Sequence, residues 1–229
     1  MAKHIGIVTV SHEGAALCYQ TICAAAAAAM GEHRHPEITM HSFPLADYLP
    51  FASKGEWEKV ADLLLESVNK VALAGADFAI CPANTAHEAF EYLEPRSPIP
   101  WLHIVEVVGE AARARGYTKL GVLGTRFLME GKVYSSVLAK QNIEVVIPDL
   151  QQRQEINSYI LDELVKGTLK DSTRDYFRGS VNELAAAGCD AVVMACTEIP
   201  LILQPEDVDT PLLDSTRLLA QAALKEALR

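Results

Sequence analysis

Cys196 has the residue type and the sequence surroundings that most favour chemistry in this chain. It follows an apolar run, residues 191–195, and precedes Thr197-Glu198, where a helix is predicted to begin. A thiol at a helix N-terminus has its thiolate stabilised by the helix dipole and by free backbone N–H groups. Such a thiolate serves as a general base or as a nucleophile. The alternative is a buried structural cysteine, which is a common role of a free thiol.

A second copy of this stretch occurs earlier in the chain. Residues 75–85 align with residues 188–198 without a gap, so that Gly75 matches Gly188. Each copy contains a turn, then a short apolar strand, then small and polar residues where the strand ends. In this alignment the counterpart of Cys196 is Ala83. A site that could have held a symmetric pair of thiols therefore holds one.

Polar residues at other predicted strand ends are candidates for substrate binding. Asn84 and Thr85 offer donors suited to a carboxylate, although a turn with a helix cap explains them equally well. Thr125 and Arg126 could clamp a carboxylate, because arginine binds this group through two hydrogen bonds. A solvated loop arginine is the alternative for that pair. Ser11 follows the first predicted strand.

For three further residues, the sequence favours a structural or surface position over a functional role. Cys81 lies two residues before Ala83 on the same strand face, so it is expected to point back inside the sheet. His87 is predicted to lie on a helix surface. Lys166 precedes Gly167, which suits the C-terminal end of a helix, where the dipole favours a cation.

Strands alternate with helices along the chain, which predicts an α/β fold with parallel sheets. A second repeat, residues 5–10 against residues 120–125, indicates an internal duplication with halves near 1–115 and 116–229. Within this pattern, the segment around Lys54 is predicted as a loop.

The duplication predicts two similar parallel-sheet α/β domains related by a pseudo-twofold axis. The first is expected to comprise residues 1–100 with 212–229, and the second residues 101–211. Ligands bind outside the carboxyl ends of the strands in such sheets. The active site is therefore expected in the cleft between the two domains.

Composition and charge exclude several classes of function. The net charge of −10 argues against nucleic acid or an anionic membrane as the main partner. No apolar run approaches the roughly 18 residues of a membrane span. Five cysteines without metal-type CxxC spacing indicate a reduced, cytoplasmic protein, and neither a metal site nor a phosphate-binding loop is predicted.

These motifs make the sequence similar to the aspartate/glutamate racemase family over essentially the whole chain. The similarity is carried by Cys196-Thr-Glu-Ile-Pro-Leu201, by Asn84-Thr-Ala-His87 and by Leu123-Gly-Thr-Arg-Phe-Leu-Met-Glu130. Residues 162–167 and 214–217 add support. Glu198 stands where glutamate racemases tend to have histidine, which places the chain nearer the aspartate racemase branch.

The resemblance implies racemisation of an acidic amino acid, aspartate or glutamate, without a cofactor. Two groups would flank the α-carbon; one removes a proton, and the other delivers one to the opposite face. Without pyridoxal phosphate, hydrogen bonds to the α-carboxylate must stabilise the carbanion. The resemblance gives this binding role to Asn84, Thr85, Thr125 and Thr197, and it matches the family's basic residue to Lys166. Ser11 and Glu198 complete the expected substrate-binding set.

Two positions depart from the family pattern. The family's first thiol falls at Ala83, which has no titratable group. The family's substrate-binding arginine has Lys54 as its nearest candidate. Three accounts of Ala83 stay open: an engineered replacement, a native branch that has lost or rerouted racemisation, and a native enzyme with another reaction.

We therefore expect a racemase of acidic amino acids with Cys196 as the surviving acid/base. A non-catalytic protein that binds acidic amino acids is one alternative. A decarboxylase or isomerase of the same superfamily, which uses a single cysteine, is the other. The resemblance also implies a homodimer, and the partner molecule is expected to be a small acidic amino acid or dicarboxylate.

Overall fold

The computed structural model describes residues 2–229 and divides the chain into two compact units. One unit extends to Val107 and includes Thr216–Arg229, and the other is Val108–Ser215. None of the helices among the described residues is long and apolar enough to cross a membrane.

The first unit is built on a four-stranded parallel sheet in the order β2-β1-β3-β4. Its strands are β1 (Ile5–Thr9), β2 (Ile38–Ser42), β3 (Phe78–Ile80) and β4 (Trp101–Leu102). Its helices are α1 (His12–Met30), α2 (Leu45–Ala52), α3 (Trp57–Leu73) and α4 (Phe90–Leu93), and α5 (Ile104–Arg113) spans the unit boundary. All five residues of β1 are buried, as expected for a central strand.

The second unit repeats this architecture with the order β6-β5-β7-β8, again all parallel. Its strands are β5 (Lys119–Leu123), β6 (Glu144–Val146), β7 (Ala191–Met194) and β8 (Leu212–Asp214). Its helices are α6 (Arg126–Glu130), α7 (Val133–Ala139), α8 (Leu150–Ser158), α9 (Asp171–Ala186) and α10 (Ile199–Ile202). The last helix, α11 (Ser215–Ala227), lies almost wholly in the first unit. The predicted α/β class with two similar parallel sheets is confirmed.

The two copies also share their hydrogen bonds at the start of the central strands. In the first unit, the backbone N–H of His4 donates to Asp77 Oδ2 over 2.7 Å. In the second, the N–H of Lys119 donates to Asp190 Oδ2 over 2.9 Å. In return, the N–H of Asp77 donates to the carbonyl of His4 over 2.9 Å, and the N–H of Asp190 donates to the carbonyl of Lys119 over 2.8 Å. The repeated aspartates therefore fix the register of the central strand pair in each unit.

Two matched glycines, Gly6 and Gly121, lie close to a helix in their respective units, which is a further similarity between the two copies. A Cβ at Gly6 would lie 2.8 Å from Val71 Cγ2 on α3, and one at Gly121 would lie 2.8 Å from Leu184 Cδ1 on α9. A larger residue at either position would force the facing side chain on the helix to shift, because the interior is already close-packed.

The structure corrects the prediction of a loop around Lys54. Residues 45–52 of that segment form α2 despite Pro50 in its interior. Proline removes one helical hydrogen bond, but the helix buries Tyr48 and packs Phe51 against the core of the first unit. Lys54 itself follows the helix and is exposed.

Candidate functional site

Cys196 lies two residues beyond the end of β7, at the carboxyl edge of the second sheet. Its thiol donates a hydrogen bond to Glu198 Oε2 over 2.8 Å. The Cys196 side chain is half-buried, whereas Thr197 and Glu198 are buried, with Glu198 only 6% exposed. A thiol and a buried carboxylate are therefore in direct contact at the position predicted for proton transfer.

This environment overturns the expectation of a stabilised thiolate. Burial, and then the charge and hydrogen bond of Glu198, hold the pKa of the Cys196 thiol well above its ordinary value. Hydrogen bonds from the backbone of Glu198 and Thr197 act in the opposite direction but are outweighed. The helix that follows, α10, has only four residues and so contributes little dipole. Cys196 is therefore a thiol at rest, suited to giving a proton.

Ala83 occupies the matching position in the first unit, after β3. It precedes a 3-10 helix, Asn84–Ala89, and its side chain is half-buried. The N–H of Ala86 donates to the Ala83 carbonyl over 3.2 Å, just as the N–H of Ile199 donates to the Cys196 carbonyl over 3.3 Å. The backbone of the two turns is thus alike, and the difference between them lies in the side chains.

The side chains next to these two positions differ in charge. Thr85 is the counterpart of Glu198, so a half-buried hydroxyl stands where the second unit has a buried carboxylate. Asn84, the counterpart of Thr197, is also buried, at 4% exposure. A thiol placed at position 83 would therefore have a neutral neighbour in place of Glu198.

His87 is buried, and the prediction of a surface histidine is wrong. The side chain is 3% exposed and stacks on Phe90, with ring centroids 4.1 Å apart. Its Nδ1 lies 3.0 Å from the Ala83 carbonyl oxygen, and the N–H of Ile104 donates to its Nε2 over 3.3 Å. The sequence correctly predicted that His87 lies in a helix. It did not predict that residues 101–104 pack over the side chain.

Cys81 does not replace the missing thiol. It is fully buried in the core of the first unit, in the cluster that also holds Tyr48. Burial raises the pKa of the Cys81 thiol to about 12, and a hydrogen bond with the Ala83 backbone offsets this only in part. A thiol with this pKa carries almost no thiolate at neutral pH.

The remaining predicted residues lie at the carboxyl ends of the two central strands or on the surface. Ser11 is the N-cap residue of α1 after β1, and Thr125 is the N-cap residue of α6 after β5; both are half-buried. Lys54 is exposed in the first unit. Lys166, in a 3-10 turn of the second unit, is exposed and pairs with Asp162 over 3.4 Å.

Within each unit, the strand order brings part of the predicted set together. Because β1 and β3 are neighbours, Ser11 lies at the same sheet edge as Ala83, Asn84 and Thr85. Because β5 and β7 are neighbours, Thr125 lies at the same edge as Cys196.

Two buried hydroxyl groups were not among the residues predicted from the sequence. Thr9 Oγ1, at the end of β1, and Tyr48 Oη, on α2, are buried and have no hydrogen-bond partner among residues 2–229. Nearly all buried polar atoms in proteins have a hydrogen-bond partner, so these two hydroxyl groups are unusual. Thr9 is the last residue of an apolar strand, a position that could have marked it, whereas Tyr48 fell in the segment predicted as a loop. Among the described residues, no group of three or more His, Cys, Asp or Glu side chains could hold a metal ion.

Comparisons with known proteins identify a family whose match covers most of this chain. The model of the family described as Asp/Glu/hydantoin racemase matches residues 5–223. The broad specificity amino-acid racemase RacX of Bacillus subtilis is 26% identical over 191 residues, which cover 83% of this chain and 81% of that protein.

Two solved structures are similar along the whole chain. A protein from Yersinia pestis assigned as an Asp/Glu racemase superposes with a TM-score of 0.93 at 30% identity, covering 99% of this chain and 100% of that one. An aspartate racemase homologue from Pyrococcus horikoshii superposes with a TM-score of 0.87 at 26% identity, and both chains are covered completely.

Proposed function

Because the chain belongs to the Asp/Glu/hydantoin racemase family, we propose that it transfers a proton at the α-carbon of an acidic amino acid, aspartate or glutamate, without a cofactor. The observation that carries the proposal is the contact between Cys196 Sγ and Glu198 Oε2, 2.8 Å apart, at the carboxyl end of β7. Proton transfer needs a donor and an acceptor within hydrogen-bond reach, and this pair supplies both.

The proposed step begins with the Cys196 thiol at rest. Glu198 accepts the thiol proton, and the resulting thiolate removes the α-proton of the substrate. The electron pair of the broken C–H bond passes into the α-carboxylate, which hydrogen bonds must stabilise. In the reverse direction the thiol returns the proton to the carbanion, and Glu198 gives its proton back to the resulting thiolate. Asn84, Thr85, Thr125 and Thr197 are the proposed carboxylate-binding residues.

Ala83 makes the proposed reaction one-sided. The first unit repeats the turn that holds Cys196 but has a methyl group in place of a thiol. Protons are then exchanged on one face of the α-carbon by Cys196, and no side-chain acid or base at position 83 serves the other face. Exchange of the α-hydrogen without inversion is the expected activity.

The state of Cys196 also favours a second candidate. A group held as a thiol, with alanine at the matching position, is suited to protonating one face of a carbanion formed in another way. Loss of CO₂ from a malonate-type acid forms such a carbanion, as the single-cysteine decarboxylases of this superfamily would require. A screen of malonate-type and maleate-type acids for product separates this candidate from the first.

The main test is exchange of the α-hydrogen in D₂O, followed by proton NMR. Both enantiomers of aspartate and glutamate are the substrates, together with a panel of neutral and basic amino acids, because the B. subtilis relative is named for broad specificity. We expect deuterium incorporation from one enantiomer of an acidic amino acid, with retention of configuration.

Two variants make the test specific. Cys196→Ala should abolish exchange, whereas Cys23→Ala, which removes a half-buried thiol on α1, should leave it unchanged. Absence of exchange from every amino acid, with product from a malonate-type acid, would favour the second candidate. Tight binding of an acidic amino acid without any turnover would favour a non-catalytic binding protein.

A further inference from the structure

The His87 ring connects two backbone segments of the first unit. One ring nitrogen, Nδ1, lies 3.0 Å from the carbonyl oxygen of Ala83, in the turn after β3. The other, Nε2, lies 3.3 Å from the backbone nitrogen of Ile104, at the start of α5. The ring therefore ties the end of one strand segment to the start of the helix that follows the neighbouring strand, β4.

These two contacts define a single form of the ring. A backbone N–H only donates, so Nε2 must be the acceptor from Ile104. In a neutral imidazole the proton then resides on Nδ1, which donates to the Ala83 carbonyl. Protonation of Nε2 would set an N–H against the N–H of Ile104 and break the connection.

The surroundings of His87 keep it neutral. The ring is packed between Phe90 and His103, with centroid distances of 4.1 Å and 4.6 Å. Burial, and then the electrostatic effect of the neighbouring His103, hold the pKa of His87 well below its ordinary value, although hydrogen bonds with the backbone of Ala83 and Asn84 act in the opposite direction.

The Ala83 carbonyl matters because of the peptide plane it belongs to. The carbonyl of Ala83 and the N–H of Asn84 share one planar unit, and in a trans peptide they point in opposite directions. The described chain contains no cis peptide bonds. A side chain that fixes the carbonyl oxygen of Ala83 therefore also fixes the direction of the Asn84 N–H.

The second unit has no side chain equivalent to His87 that bonds to the matching carbonyl. The position that matches His87 is Pro200, whose side chain has no donor, and the Cys196 carbonyl accepts from the N–H of Ile199. The first unit has both the corresponding bond from Ala86 and the additional bond from His87. The histidine is thus specific to the turn that lacks a thiol.

We propose that His87 is a positioning residue: its neutral Nδ1–H tautomer orients the Ala83–Asn84 peptide so that the Asn84 N–H points at the substrate carboxylate. The inference rests on the proposed function, in which this turn binds substrate. It adds a specific group, and a specific protonation state, that the binding turn requires.

Two amide variants separate the two ends of the ring. In His87→Asn the side-chain NH₂ takes the place of Nδ1–H and keeps the donor to Ala83, but the acceptor for Ile104 is lost. In His87→Gln the longer side chain reaches Ile104 with its carbonyl oxygen and loses the donor to Ala83. His87→Phe keeps the stacking on Phe90 and removes both hydrogen bonds.

The kinetic readout is KM against kcat for α-hydrogen exchange. We expect KM to rise about tenfold or more in His87→Gln and His87→Phe, the effect of misdirecting one donor to a charged carboxylate. In His87→Asn, KM should stay within about threefold of the wild type, because the donor is retained. The matched control is His33→Asn, since His33 is exposed and its positive φ of 60° is one that asparagine tolerates.

A second readout does not depend on activity. NMR of the protein with ¹⁵N-labelled histidine reports the tautomer of His87 directly. We expect the Nδ1–H form to persist at pH values well below 6.5. Backbone amide shifts of Asn84 and Thr85 should change in His87→Gln and His87→Phe but stay close to the wild type in His87→Asn.

The outcomes separate this inference from the proposed function. An Nε2–H tautomer, titration near pH 6.5, or a folded His87→Phe protein with unchanged KM would overturn the positioning role. If the wild type exchanges no amino acid, the proposed function fails. The amide shifts then test the orienting contact by itself: shifts that follow the donor to Ala83 show that His87 orients the Ala83–Asn84 peptide, and unchanged shifts refute it.

Discussion

The thiol of Cys196 donates to the carboxylate of Glu198 over 2.8 Å, and the turn that holds both is repeated in the first unit around Ala83 and Thr85. One copy therefore pairs a thiol with a negative charge, and the other pairs a methyl group with a hydroxyl. The backbone of the turn is duplicated, whereas its acid–base chemistry is confined to one copy.

Glu198→Gln should make Cys196 more acidic. The carboxylate raises the pKa of the thiol through its charge and its hydrogen bond, so a neutral amide should lower that pKa towards the ordinary value. Because the thiolate is the nucleophile, alkylation of Cys196 by iodoacetamide at pH 8 should be faster in the variant, as measured by mass spectrometry of the peptide. Glu206→Gln, in a separate 3-10 turn, is the control. An unchanged or slower rate would show that burial alone sets the pKa.

Ala83→Cys should convert one-sided exchange into racemisation. The introduced thiol would stand beside Thr85 rather than a carboxylate, so its pKa should lie below that of Cys196 and its thiolate should form more readily. Chiral chromatography should detect the opposite enantiomer of the substrate accumulating. Ala83→Ser, of similar size but weak as an acid or base, should not give inversion. Loss of Cys196 in the double variant should remove the new activity.

Stability should fall on the acid side of neutrality because of His87. Its folded-state pKa is below the unfolded value of about 6.5, so the unfolded chain binds more protons under acidic conditions. The stabilising contribution is therefore complete above about pH 6.5 and decreases as the pH falls below that value. Urea denaturation between pH 5 and 8 should show the stability advantage of wild type over His87→Phe shrinking as the pH falls. A constant difference between the two proteins would contradict this linkage.

Tyr48→Phe should not destabilise the protein. The Tyr48 hydroxyl is buried without a hydrogen-bond partner among residues 2–229, and a buried group of this kind carries a desolvation penalty of about 1–3 kcal/mol. The free energy of unfolding should therefore stay the same or rise by up to about 1 kcal/mol in urea denaturation. Tyr92→Phe, at an exposed position, should change it by less than about 0.5 kcal/mol. A clear loss of stability in Tyr48→Phe would mean that the hydroxyl has a partner in solution.

The sequence by itself determined the α/β class, the internal duplication and the alignment of Cys196 with Ala83 in the two copies. These features are local: apolar runs define the strands, glycines mark the matched turns at positions 75 and 188, and a gap-free alignment relates the two copies. Ligands bind at the carboxyl ends of strands in parallel sheets, so the polar residues at those ends could be predicted from the sequence as candidate site residues.

Only the tertiary structure decided the protonation states at these positions. The pKa of a thiol depends on its burial and on the direction of nearby side chains, and the spacing between Cys196 and Glu198 does not reveal that they touch. His87 is buried because Phe90 and the distant segment that contains His103 and Ile104 cover its ring. Contacts between distant segments set burial, and burial decides whether an ionisable side chain rests charged or neutral.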